Sequence, residues 1–280
     1  MIDYHIHLER GPYNLEWLRQ FWAQAQRRGI TEIGITEHAH EFREFLPVYE
    51  HLLRESTSGR DTASWIRRHF QHSIDDYLEL LENGMKSGIA LKVGLEADYF
   101  PHNEEKIRAL LERYDFDFVL GSVHFLDCWS FDWDPGLGWP ERNVDHVYRA
   151  YLSLLERMVK SSLFDIAAHL DVIKVFGHRS KQNLDREWHD LLVLMSQSNL
   201  AMEVSTAGLR KPVGEIYPHP MLLTEAARRG IPITIASDAH TPEDVGDRWE
   251  EAVARARNSG FRKYCTFKGR RPTSHDLPLF

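Results

Sequence analysis

An α/β barrel of seven parallel strands is the fold class that this 280-residue sequence predicts, and three observations carry that reading. Seven short β-branched or apolar runs recur along the chain, segments with helical spacing separate them, and the runs are apolar almost without interruption. Alternating strands and helices imply a parallel sheet, whose strands are buried on both faces and therefore lose the apolar/polar alternation. Seven such units favour closure into a barrel over an open sheet. The 42% hydrophobic content can fill a substantial core. No Pro/Gly/Ser-rich linker divides the chain, so one domain over residues 1–280 is expected.

Taken in order, the run at 2–7 is followed by helical spacing from Leu15 to Arg28, and the run at 32–37 by the charged stretch Glu41 to His72, which reads as an insertion. Helical spacing returns from Asp75 to Lys86. The runs at 90–97 and 117–123 flank a helix from Glu104 to Tyr114. The loop Asp127 to Pro140 reads as a second insertion, and its Trp129, Trp133 and Trp139 are expected to pack rather than to gate. A helix from Val144 to Val159 leads to the run at 164–168, a helix from Trp188 to Ser196 to the run at 200–205, and a helix from Met221 to Arg229 to the run at 231–237. Gly29, Gly88 and Gly230 each stand where a left-handed helix terminus would sit before a strand. The basic, proline-bearing residues 266–280 are expected to trail over the surface as a tail.

Thirty-four basic residues against forty-two acidic ones give a net charge of -8, which argues against a broad footprint for duplex nucleic acid. A small substrate fits better, and no nucleic-acid partner is expected. Cys128 and Cys265 are far apart and outside any CxxC pattern, so neither a disulfide framework nor a thiolate zinc site is indicated. No apolar run approaches the length of a membrane span, and the first residues show no basic-then-apolar leader, so a cytoplasmic protein with no membrane partner is expected. The oligomeric state is not legible.

The chemistry sits at strand ends, where parallel α/β barrels place their active sites. The first strand carries Asp3, His5 and His7, which the alternation of strand side chains puts on one face. The second ends at His38, the third at Glu96 and Asp98, and the fourth at His124. The fifth ends at His169 and Asp171, the sixth at Glu203 and Ser205, and the seventh at Asp238 and His240. One buried histidine is more often a satisfied core residue than a ligand, but a ring of them reverses those odds. Imidazole and carboxylate donors suit zinc, iron or manganese, and two or three such divalent ions need a bridging carboxylate, for which Glu96 is the natural choice. Hydrolysis by a water acidified between cations then needs no protein nucleophile. Neither a Gly-x-Ser-x-Gly elbow nor a phosphate-cradling Gly-rich loop followed by Lys-Ser/Thr is present.

With His5-Ile6-His7, Thr36-Glu37-His38, Gly94-Leu95-Glu96, Ser122-Val123-His124 and Ser237-Asp238-Ala239-His240 in that order, the chain resembles the polymerase and histidinol phosphatase (PHP) superfamily. The resemblance runs from Asp3 to His240 and implies a distorted seven-stranded (β/α)7 barrel with a trinuclear site. It implies that His5, His7, Glu96 and Asp238 hold one ion, Glu96, His124 and His169 a second, and His38 and His240 the third. The family adds a loop histidine near residue 12 or 13 to that third ion, whereas Leu8 to Glu16 contains none. Glu16 is the first choice as its replacement and Glu9 the second, although an acidic residue at 16 equally suits the first turn of a helix.

Ile35 to His40, Gly94 to Tyr99 with Ser122 to Leu126, and Thr206 to Pro218 resemble the histidinol-phosphate phosphatase branch. That branch implies hydrolysis of L-histidinol phosphate in histidine biosynthesis, with Glu96, Asp238 and His240 in the reaction centre and Asp238 or a neighbouring histidine passing a proton to the leaving alkoxide. Phosphate is expected to meet Arg210, Lys211 or Lys174, and Glu215 and Tyr217 either contact the substrate or shape the turn at Pro218. Another small phosphomonoester, nuclease chemistry on the same metals, and a binding module with structural metals are the competing readings. His40, His51, His69, His72, His102, His146, His178, His189 and His219 lack strand-end context, and most of them are expected to be ordinary surface or helix residues.

Overall fold

The computed structural model describes residues 1–55 and 59–279, so residues 56–58 of the expected insertion Glu41 to His72 lie outside the described residues. Seven strands form one sheet: β1 (Ile2–Ile6), β2 (Glu32–Ile35), β3 (Leu91–Asp98), β4 (Phe118–Ser122), β5 (Ile166–Ala167), β6 (Ala201–Ser205) and β7 (Ile233–Ala236). They lie in chain order and every adjacent pair is parallel. Closure between β7 and β1 rests on a thin seam. His7 N donates to the carbonyl of Ala239 at 2.8 Å and Ala239 N to that of His5 at 3.0 Å. The fold is a (β/α)7 barrel, distorted where β5 contributes only two residues.

Among the described residues, six of the helices around the sheet fall where the spacing predicts them, and side-chain caps set the start of several. Asn14 caps α1 (Leu15–Arg27) by accepting from Trp17 N, and Leu18, Phe21 and Ala25 face the sheet. Between β2 and the next long helix lie α2 (Leu46–Tyr49), α3 (His51–Glu55) and α4 (Gly59–Arg68). Ser73 caps α5 (Ile74–Lys86), and Gly88 follows with φ +92°, a conformation only glycine adopts without strain. After β3 come α6 (Glu104–Arg113) and then α7 (Val144–Ser161), whose cap Asn143 accepts from two backbone N–H groups. The set is completed by α8 (Asp185–Ser196), α9 (Pro220–Arg228) with proline at its first position, and α10 (Trp249–Asn258). The helical spacing does not foresee α2, α3, α4 or α10. Trp139 is buried and Trp129 packs edge-on against it, while Trp133 is exposed.

Two departures from expectation shape the interior. The β1–β2 register slips by one residue between Asp3 and Ile6, so β1 carries a bulge. Tyr4 stacks on Phe118 in the barrel floor, while His5 and His7 point into the mouth. Asp3, expected beside those histidines, instead accepts hydrogen bonds from Ser237 N and Oγ and from Gly246 N. The ring of Phe118 fits because Gly34 and Gly94 have no side chain, and a Cβ at either would sit 2.6 Å or 2.8 Å from it.

The second departure is the C-terminal segment. Residues 266–280 were expected to trail over the surface, but most of that stretch belongs to an antiparallel hairpin, β8 (Lys263–Lys268) with β9 (Arg271–Asp276). The β9 residues are exposed, yet Cys265 and Phe267 are buried in the cluster that includes Tyr4, Phe118 and Leu120, which closes the barrel floor. Alternation along β8 explains this: its inward side chains are apolar, a signal that the surrounding charge hides.

Candidate metal centre

The end of the barrel opposite that floor gathers the chelating residues. Glu96, on the inward face of β3, is 2% exposed and spreads its two oxygens between two groups of imidazoles. Oε2 lies 3.1 Å from His5 Nε2, 3.4 Å from His7 Nε2 and 3.1 Å from His38 Nε2. Oε1 lies 3.1 Å from His169 Nε2 and 3.6 Å from His124 Nε2, and it also accepts from Ser122 Oγ. Asp238 Oδ1 stands 3.4 Å from His7 Nε2, 3.8 Å from His5 Nε2 and 3.5 Å from His240 Nδ1. His169 and Asp238 hold positive φ values of 24° and 54°, uncommon for residues with a Cβ, so backbone strain is concentrated at two of these positions.

A surrounding shell of carboxylates fixes which ring nitrogen faces inward. Glu203 Oε1 sits 2.6 Å from His5 Nδ1, and because a carboxylate only accepts, that nitrogen donates, which leaves Nε2 facing the centre and able to bind a cation once it gives up its proton. Asp98 does the same for His124 Nδ1 at 2.8 Å, and Tyr49 donates its hydroxyl to the other Asp98 oxygen at 2.8 Å. Glu203 Oε2 accepts from His169 N at 2.6 Å, tying β6 to the strained turn after β5. Burial would depress the His5 imidazole, but Glu203, Glu96 and Asp238 hold it well above its ordinary value. Burial would raise the Glu96 and Asp238 carboxyls, but the histidines beside them, His5 first in each case, keep both well below the usual range.

The donor set fits divalent transition metals. His5 Nε2 and both ring nitrogens of His7 are buried without a hydrogen-bond partner, the condition of nitrogens built to face cations. Three neighbouring groups bring donor atoms within 4.8 Å of one another: His5 with His7 and Asp238, His5 with Glu96 and His169, and His7 with Glu9, His38 and His240. His124 joins the second through His169, their Nε2 atoms 3.3 Å apart. The mixture of imidazole and carboxylate suits zinc, iron and manganese alike.

All the expected ligands converge here except Glu16. Asn14 caps α1, which leaves Glu16 exposed in the first turn, where its charge meets the helix dipole. Glu9, the second choice, reaches the site instead: Oε2 lies 2.7 Å from His38 Nδ1 and Oε1 3.4 Å from His240 Nε2.

Two of the three expected phosphate cations are engaged by other groups of the chain. Arg210 donates to the carbonyls of Ser237 and Asp238 at 2.6 Å and 3.1 Å and lies 3.5 Å from both Asp244 and Asp247, so it braces the end of β7. Lys174 is buried, with its ammonium 2.8 Å from Asp171 and 3.0 Å from Glu215. Lys211 is exposed at the end of a short 3-10 turn. Tyr217 is buried with its hydroxyl unpartnered and its ring 6.4 Å from that of His169. Sequence reasoning missed the roles of Glu203 and Asp98 as orienting groups, although both lie on inward faces at strand ends, and dismissed His40, which stacks on His38 at 4.6 Å.

A family model described as PHP domain matches residues 3–207, and one described as PHP-associated matches residues 221–259. A protein of Deinococcus radiodurans named "Probable histidinol-phosphatase" is 40% identical over 97% of this chain and 98% of its own length. The histidinol-phosphatase of Bacillus subtilis is 26% identical over 90% of this chain and 98% of its own. A histidinol phosphate phosphatase of Lactococcus lactis, solved with zinc, L-histidinol and phosphate, superimposes with a TM-score of 0.74 at 20% identity, covering 97% of this chain and 98% of that one, and supports the fold. Among the described residues no helix is long and apolar enough to cross a membrane.

Proposed function

The chain belongs to the PHP domain family, and from that premise we propose that it hydrolyses L-histidinol phosphate to L-histidinol and inorganic phosphate. The observation that carries the chemistry is the placement of Glu96, whose two oxygens each face a separate set of imidazoles, as a carboxylate shared between ions would. The near full-length likeness to the Deinococcus relative supports the substrate. Two or three divalent ions of the zinc, iron or manganese class, when bound, supply an acidified water and positive charge for the phosphoryl oxygens.

His5, His7, Glu96 and Asp238 would hold one ion, Glu96, His124 and His169 a second, and His38, His240 and Glu9 a third. Water adds to phosphorus, the ester P–O bond breaks, and the proton given up by the water ends on the leaving alkoxide. Asp238 and His240, 3.5 Å apart, are the groups placed to carry it. Arg210, by gripping the carbonyls of Ser237 and Asp238, keeps that pair in register. Tyr217, whose buried hydroxyl has no partner and whose ring lies 6.4 Å from that of His169, would donate to a substrate oxygen. A histidine-biosynthetic role in the cytoplasm follows from this substrate.

The test is a phosphomonoester panel assayed with the purified, metal-loaded enzyme. The expected outcome is a kcat/KM for L-histidinol phosphate at least about tenfold above simple alkyl and sugar phosphates, a difference of about 1.4 kcal/mol in transition-state binding. Equal rates across the panel would remove the substrate assignment while leaving a phosphatase.

A further inference from the structure

The geometry points to a second cation site, formed by His40, Glu41 and His69, that takes a zinc-class divalent ion and clasps the end of α4 to the mouth of the barrel. These residues share no member with the groups around Glu96. His40 and Glu41 lie in the short turn Ala39–Glu41 that follows β2, and His69 comes directly after α4, so the two sides of the cluster belong to different segments.

Glu41 is 7% exposed, and no hydrogen-bond donor among the described residues reaches its carboxylate. Its Oε1 stands 3.6 Å from His69 Nε2 and 3.9 Å from His40 Nε2. Both distances are too long for a hydrogen bond, whose heavy atoms would close to about 2.7–3.2 Å. They approach the separation of two ligands on one tetrahedral ion, roughly 3.3–3.5 Å for metal–ligand bonds of about 2.0–2.2 Å. The three donors lie within 4.8 Å of one another.

Ring orientation adds an independent argument. His69 Nδ1 is 2.7 Å from the carbonyl of Trp65, which can only accept, so Nδ1 carries the hydrogen and the Nε2 lone pair is aimed at Glu41. His40 Nδ1 is buried without a hydrogen bond and faces Asp98 Oδ2 at 3.8 Å, which again leaves Nε2 towards Glu41. One carboxyl and two imidazole nitrogens that face one another without a hydrogen bond between them form a donor set suited to a divalent cation. The ring of Trp65 packs against one side of the cluster, 4.4 Å from His69 and 4.9 Å from His40. Three protein ligands leave a fourth position open, so the site is weaker than the main centre.

Zinc content after equilibrium dialysis tests the assignment, comparing the wild-type holoenzyme with Glu41→Gln and His69→Ala across a zinc series. The wild type should take up one more equivalent per chain than either variant at saturation, while the tightly held zinc stays equal in all three and reports that the variants are folded. A zinc anomalous map of wild-type crystals at saturating zinc should show a peak flanked by His40, Glu41 and His69. Equal zinc uptake, or no peak at that position, overturns the proposal. A rise in KM for His69→Ala with zinc uptake unchanged also overturns it, and gives the cluster to the substrate instead.

Discussion

Glu9 lies three residues beyond the end of β1, and its oxygens stand 2.7 Å from His38 Nδ1 and 3.4 Å from His240 Nε2. Burial would raise its carboxyl, but His38 first, then His7 and His240, hold it well below the ordinary range, so it is an anion within a group of imidazoles. Glu16 has no such neighbours, being exposed on the first turn of α1. Glu9→Gln is therefore expected to weaken the ion proposed beside His38 and His240 by roughly 10–100-fold, the usual effect of losing a carboxylate beside a ligand histidine. Glu16→Gln should leave the metal content unchanged and cost no more than about 1 kcal/mol through the helix dipole. Metal content after dialysis of the two variants decides between them, and loss of metal from Glu16→Gln alone would reverse the assignment.

At the scale of elements, the barrel depends on what seals its floor. Phe267 of β8 is buried against a cluster that includes Tyr4 and Phe118, whereas Thr273 of β9 is exposed. Phe267→Ala should destabilise the enzyme by about 3–5 kcal/mol, the range for emptying an aromatic site in a core, and Thr273→Ala by less than about 0.5 kcal/mol. Denaturant unfolding of both variants measures this, and a near-neutral Phe267→Ala would show that the hairpin is dispensable to the floor. The strands, the helix-ending glycines and the gathering of imidazoles and carboxylates at strand ends were legible because each depends on local pattern: β-branched runs, left-handed caps and alternation. The bulge in β1 was not, because the slip between Asp3 and Ile6 accommodates Tyr4 against Phe118, a partner more than a hundred residues away. The same limit hid the partners of Arg210 and Lys174: a cation near a strand end reads as a phosphate ligand until the carbonyls of Ser237 and Asp238, or the carboxylates of Asp171 and Glu215, are seen around it.

Across the whole molecule, the centre couples metal binding, protonation and folding. Without metal, burial works to depress His124, but Asp98 and Asp132 raise it to about 9, and carboxylates also hold His5 and His38 well above their ordinary values. A histidine raised in this way stabilises the fold fully below its unfolded pKa of about 6.5, and that contribution fades as pH rises through about 9. For His124 the contribution lost is on the order of 3 kcal/mol. Glu37, pushed up to about 8 by burial and by Glu9, favours the protonated fold and acts in the same direction. His7 and His240, depressed by burial and by neighbouring imidazoles, are neutral in both folded and unfolded chains across the upper part of this window and add little slope. Divalent ions need these imidazoles unprotonated, so binding releases protons and tightens as pH rises. The metal-stripped enzyme should therefore lose thermal stability between pH 6.5 and 9 while the zinc-loaded enzyme does not, and the gap in Tm between them should widen with pH. Calorimetry of chelator-treated and zinc-loaded protein at pH 6, 7.5 and 9 measures the gap. A constant or shrinking gap would mean that the carboxylates around Glu96 are balanced by something other than imidazolium and metal.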